Sequence, residues 1–149
     1  MGMARILVGF IAAATVGFLS SVAFLTGMTL SRYPGFEQAL DAYAATYALN
    51  LSGLATGSPF VGIFAVALAI GFAVAAILKR LLTPLAGIAY VLAGAAAAPA
   101  LFLIVENVMI GGGVGAFFGA RGIAGLALQA LAGAASGLVF TLIAVRKRG

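Results

Sequence analysis

The sequence predicts an all-α membrane protein: four transmembrane helices, both termini in the cytoplasm, and a short amphipathic interfacial helix between helices 1 and 2. Three observations lead there. The chain is 64% hydrophobic and only 7% charged, whereas an average soluble domain is about half apolar and about a quarter charged. A soluble globule of 149 residues with so few charges could not cover its surface. The apolar residues fall in four long runs, at about 6–30, 60–78, 85–105 and 122–145, each long enough to cross a ~30 Å hydrocarbon core. Basic residues gather at alternate ends of those runs. Residues 1–149 read as one integral membrane domain with no soluble domain or linker.

The first run, Ile6 to Leu30, follows Arg5. A signal peptide is the competing reading, with Ser21-Val22-Ala23 as its cleavage site. The apolar run continues past that site through Phe24 and Leu25 to Leu30, which favours an uncleaved span. At 100° per residue Gly9, Ala13, Ser20 and Gly27 fall near one side, a small-residue stripe that lets another helix approach closely.

Ser31 to Ser58 is the longest polar connection. Arg32-Tyr33-Pro34-Gly35 reads as a turn. From Phe36 to Tyr47 the period is helical: Phe36, Leu40, Tyr43 and Tyr47 share one face, with Glu37, Gln38 and Asp41 on the other. That pattern predicts a short helix on the membrane surface with its aromatic stripe at headgroup depth. A docking face for a partner protein is the alternative. Asn50-Leu51-Ser52 matches the glycosylation acceptor pattern, a three-residue match that occurs often by chance.

Ser58-Pro59 supplies an N-cap and a first-turn proline for the second span, which closes on Lys79-Arg80. Thr83-Pro84 repeats the device for the third. The short connection makes these two helices antiparallel neighbours. Pro99, after the G-A-A-A-A of Gly94 to Ala98, removes a backbone donor near mid-membrane and predicts a kink. In the fourth span Gly122, Gly125, Gln129, Gly133, Ser136 and Gly137 cluster on one face, and Gly133 and Gly137 form a GxxxG pair. In lipid such a face packs on another helix, with Gln129 hydrogen-bonding across for ~0.6–2 kcal/mol.

Four spans place Arg5, Lys79, Arg80, Arg146, Lys147 and Arg148 on one side. Arg32, Arg121 and the acids Glu37, Asp41 and Glu106 are on the other. The positive-inside rule puts the first side, with both termini, in the cytoplasm. This placement also explains the net charge of +5 without nucleic acid.

Glu106 to Gly122 holds an acid, an amide (Asn107) and an arginine (Arg121) around a glycine-rich core. Val108 to Ala120 is uncharged, about 13 residues long, too short to span and too apolar for an ordinary loop. It is expected either to dip into the outer leaflet or fold over the bundle mouth, with Glu106 pairing Arg121 and Phe117-Phe118 anchoring at the interface, or to remain a glycine loop.

Groups that carry chemistry are few. With no histidine and no cysteine, the usual general base, thiol chemistry and the commonest metal ligands are missing. No HExxH, CxxC, GxSxG or phosphate-loop pattern occurs. No catalytic residue, metal site or cofactor is expected, and an enzyme is disfavoured. The string G-G-x-G-A-x-x-x-x-R from Gly112 to Arg121 resembles the glycine-rich segment of small four-span fluoride channels. It lies between spans three and four, however, and the rest of that family's polar pore pattern is missing.

The reading that results is a small protein of the inner membrane acting through helix–helix contacts, as an accessory or assembly subunit of a larger membrane protein or as a homo-oligomer. The alternative is an oligomeric transporter or channel for an ion or small solute, with Glu106, Arg121 and Gln129 near its path.

Overall fold

A computed structural model describes residues 2–32, 40–81, 87–109, 111 and 117–145. They form five α-helices: α1 (Met3–Leu30), α2 (Leu40–Thr56), α3 (Phe60–Leu81), α4 (Ala89–Ile104) and α5 (Gly122–Phe140). A π-helical turn, Val105–Met109, continues α4, and another, Thr141–Val145, continues α5. A 3₁₀ turn, Phe118–Ala120, precedes α5. With their extensions, α1, α3, α4 and α5 are long and apolar enough to cross a membrane. No strand occurs among the described residues.

Local chemistry sets several boundaries. The Phe60 N–H donates to Ser58 Oγ at 3.3 Å, so Ser58 caps α3 with Pro59 in its first turn. That helix runs to Leu81, through Lys79 and Arg80. The matching device at Thr83-Pro84 lies outside the described residues, as do Phe36 and the turn after Arg32. Gly122 takes φ +73° as the chain enters α5, a conformation that L side chains rarely adopt. Pro99 sits inside a continuous α4. The short amphipathic stretch seen in sequence proves to be a longer helix, since α2 continues past Tyr47 through Asn50, Leu51 and Ser52.

The four long helices alternate in direction and pack in the order α1, α5, α4, α3. Residue size dictates their separations. Where α4 meets α5, Gly94 faces Gly133, and Gly137 faces the Tyr90 backbone. A methyl at Gly94 would lie 2.8 Å from the Gly133 carbonyl carbon. Backbones this close forgo side chains between them and gain dispersion over both main chains. On the other side of α5, Gly9 meets Ala144 and Gly17 meets Ser136. Gly71 of α3 lies against Ala93 and Ala97 of α4.

The remaining gap, between α1 and α3, is wider and is bridged by rings. Phe10 meets Phe72 edge-on with centroids 6.3 Å apart, and Phe18 meets Phe60 and Phe64 at 6.1 and 6.3 Å. Glycine and alanine thus bring three helix pairs together, while phenylalanine fills the fourth contact. One end of the bundle gathers Arg5, Lys79 and Arg80, and the other gathers Arg32, Glu106 and Arg121. These sets follow from the antiparallel pairing of α1 with α5 and of α3 with α4.

Candidate functional site

The most specific polar chemistry lies between α1 and α5. Gln129 is fully buried, and its carboxamide meets a single residue of α1 twice. Ser21 Oγ donates to Gln129 Oε1 at 2.5 Å, and Gln129 Nε2 donates to the Ser21 carbonyl at 3.3 Å. Seven residues along α5, and about 10 Å away at ordinary helical rise, Ser136 Oγ donates to the Ala13 carbonyl at 2.7 Å. These two rungs make a sealed polar seam. No buried side-chain nitrogen or oxygen among the described residues lacks a partner.

The helix-packing residues distribute around this seam. Gly125, Gln129, Gly133, Ser136 and Gly137 are all buried on α5. Gln129 and Ser136 face α1, whereas Gly133 and Gly137 face α4. Gly125 closes on the backbone of Gly119 and Ala120. On α1, Gly9 and Ala13 are buried, and the row continues through Gly17 and Ser21 rather than through Ser20 and Gly27. Ser20 is half-buried, and Gly27 is half-buried beside the Tyr43 ring, at 3.8 Å for an added methyl. The row 9, 13, 17, 21 follows the i, i+4 ridge of α1. Small residues repeating every fourth position were the signal available in the sequence.

Helix α2 packs on α1. Tyr43 donates to the Ala23 carbonyl at 2.9 Å and Tyr47 to the Leu19 carbonyl at 3.2 Å, with their rings stacked 6.3 Å apart. Asn50 Nδ2 donates to Thr26 Oγ1 at 2.9 Å, and Thr26 donates to the Val22 carbonyl. Burial, and then the adjacent Tyr47, push the Tyr43 phenol above its ordinary 10.0. Leu40, placed by sequence on the same stripe, is 81% exposed.

At the end of the bundle opposite Arg5, Lys79 and Arg80, Glu106 sits half-exposed in the π-helical turn after α4. The exposed Asn107 donates to the Leu103 carbonyl of its own helix at 2.7 Å. Arg121 caps α5, and its carbonyl accepts Arg32 Nη2 at 3.0 Å. Among the described residues Glu106 has no hydrogen-bond or ion-pair partner, so the anticipated pair with Arg121 is not formed. Residues 112–116, the middle of the apolar glycine segment, lie outside the described residues. Its last part turns inward: Phe117 packs 5.1 Å from both Phe60 and Phe102, and Gly119 lies on the Leu25 backbone.

Recesses lined by described residues open at the side of the bundle. A groove of about 580 Å³ runs along the outside of α3 and α4, with Gly71, Ala93 and Ala97 in its floor and Val66, Ile70 and Leu92 in its walls. A cleft of about 500 Å³ opens between α1 and α3 at the basic end. Among the described residues no cluster of three or more acidic side chains could hold a metal ion.

Four helices long and apolar enough to cross a membrane, alternating in direction in one bundle with an apolar exterior, suggest an α-helical membrane protein. The chain matches no protein-family model, and no curated protein or solved structure is detectably similar to it.

Proposed function

We propose that this chain is a small multi-pass protein of the cytoplasmic membrane that works through helix–helix contacts, as an accessory or assembly subunit or as a homo-oligomer. Its basic end faces the cytoplasm, by the bias of Lys and Arg toward that side. The supporting observation is the α3/α4 groove. Between α1 and α5, and between α5 and α4, the small-residue faces are already occupied. The groove has the same small-residue floor but opens outward, and the exposed Ala96 and Ala100 lie along it. In a bilayer, where lipid and leucine are equally apolar, a recess that lets a helix approach closely is where association gains most.

Conduction through a single copy has less support. Among the described residues every buried polar side-chain atom has a partner, Gln129 included, and Phe18, Phe60 and Phe64 close the space between α1 and α3 toward the Arg32 end. A pathway would therefore have to lie between copies.

Gentle extraction of the tagged protein followed by native mass spectrometry tests the proposal. The expected result is a defined complex, with a larger membrane protein or with further copies, that Ala96→Leu plus Ala100→Leu dissolves while the monomer's melting temperature holds. A monomer from the native membrane, or a complex indifferent to the filled groove, would overturn it.

A further inference from the structure

The cleft between α1 and α3 has a different character from the α3/α4 groove. Its walls are apolar, Ile6 and Phe10 of α1 and Ala69, Ala73 and Ala76 of α3, over a floor of the nearly buried rings of Phe72, Tyr90 and Phe140. Its mouth is basic, with Lys79 and Arg80 among its lining residues. Apolar walls ending in two cations match the two halves of an anionic amphiphile.

Tyr90 holds the lysine at the mouth of the cleft through its hydroxyl and its ring. Lys79 Nζ donates to the buried Tyr90 hydroxyl at 2.9 Å, and the same nitrogen lies 4.9 Å from the Tyr90 ring centroid. An ammonium carries three donors, so one bond to Tyr90 leaves capacity for an oxyanion. Arg80 is exposed and has no hydrogen-bond or ion-pair partner among the described residues. Its planar fork suits a phosphate. Along α3 the lining extends from Ala69 to Arg80, roughly 16 Å at helical rise, close to half of a ~30 Å hydrocarbon core. The cleft is therefore one leaflet deep, with its cations where that leaflet's headgroups would lie.

We infer that the cleft between α1 and α3 is a binding site for an anionic phospholipid, with an acyl chain against Ile6, Phe10, Ala69 and Ala73 and the phosphate on Lys79 and Arg80. Basic recesses between membrane helices recognise acidic headgroups in this way. The site shares α3 with the proposed partner groove but none of its lining residues, so either can fail without the other.

The test uses the full chain, delipidated in mild detergent and offered equal amounts of phosphatidylglycerol and phosphatidylcholine, with bound lipid read by native mass spectrometry. Retention of phosphatidylglycerol should exceed that of phosphatidylcholine by about ten- to thirtyfold, the scale expected of two basic residues near a headgroup. Lys79→Gln with Arg80→Gln should remove that preference. Ala73→Trp, at an exposed position in the cleft wall, keeps both charges and should reduce retention of both lipids. Arg32→Gln, at the other end, removes a charge but should leave the preference unchanged. Excess glycerol phosphate, a headgroup without chains, should displace nothing. Equal retention of the two lipids, a preference that survives the double variant, or full retention by Ala73→Trp would each overturn the inference. So would a loss of preference in Arg32→Gln, which would make the attraction one of net charge, or displacement by glycerol phosphate, which would make the site one for soluble phosphates.

Discussion

Gln129 and Ser21 exchange two hydrogen bonds across the α1–α5 contact, one through the serine hydroxyl and one through its carbonyl. Both side chains are fully buried. A carboxamide that used only a hydroxyl could follow it through rotation. One that also uses the carbonyl of the same residue fixes the axial position of α1 against α5. The second rung, from Ser136 to Ala13, holds the same register nearer the basic end.

A double-mutant cycle measures this pair. Gln129→Leu and Ser21→Ala should each destabilise the bundle by about 1–2 kcal/mol. Their coupling should be ~0.6–2 kcal/mol, read from unfolding in mixed micelles. Ser20→Ala should show no coupling to Gln129, since Ser20 is half-buried and shares no hydrogen bond with it. A coupling to Ser20 as large as that to Ser21 would mean that α1 is rotated relative to this structure.

Gly94 and Gly133 make a sharper prediction. A methyl on either would strike the other's carbonyl, so the two helices would have to separate. Gly94→Ala and Gly133→Ala should each cost about 1–3 kcal/mol, as overpacking does. Gly62→Ala, where an added methyl meets nothing within 4 Å, should be neutral or slightly stabilising, because alanine is the better helix former. Melting temperatures followed by size-exclusion would separate them, and equal melting of all three variants would contradict the close α4–α5 approach.

The tyrosines of α2 predict a pH dependence. Tyr43 must keep its proton to donate to Ala23, and its pKa is raised above the ordinary 10.0 by burial and then by Tyr47. A phenol whose folded pKa is raised contributes stability that is full below the unfolded value and is lost as pH rises through the folded one. Docking of α2 on α1 should therefore hold through neutral pH and loosen only above about pH 10. Tyr43→Phe should weaken docking at neutral pH, by about 1 kcal/mol for one lost hydrogen bond, and blunt the alkaline loss. Protease cleavage within α2 as a function of pH reads both effects.

Much of this architecture is written in the sequence. The apolar runs bound the four long helices to within a few residues, and Ser58 with Pro59 marks the start of α3 because an N-cap is a local interaction. The glycine face of α5 is visible too, since period alone collects Gly125, Gln129, Gly133, Ser136 and Gly137 on one side. Which neighbour each of those residues meets is not visible. Gln129 and Gly133 are four apart, yet one faces α1 and the other α4, because α5 lies between two helices. On α1 the choice of Gly17 and Ser21 over Ser20 and Gly27 is set by where Gln129, Ser136 and Ala144 lie across the contact, which the α1 segment alone does not encode. Tyr43 and Tyr47, amphiphilic by pattern, look suited to headgroups, but carbonyls of α1 provide their acceptors. The cleft with Lys79 depends on the spacing of α1 and α3, which no single segment encodes.

Glu106 decides between contact and conduction as the role of this protein. It is one of three acids in the chain, and it sits half-exposed in a π-helical turn, a widened geometry often found at functional positions. With no bonded partner among the described residues, its neutral isostere removes no bond to any of them. Glu106→Gln should therefore change the unfolding free energy by less than about 0.5 kcal/mol, as surface substitutions do, and leave any native complex intact. If the protein works through contacts, the variant should also complement a deletion strain fully. A variant that assembles and melts like the parent but loses an ion or solute flux in liposomes would place a pathway beside Glu106 and make conduction the function.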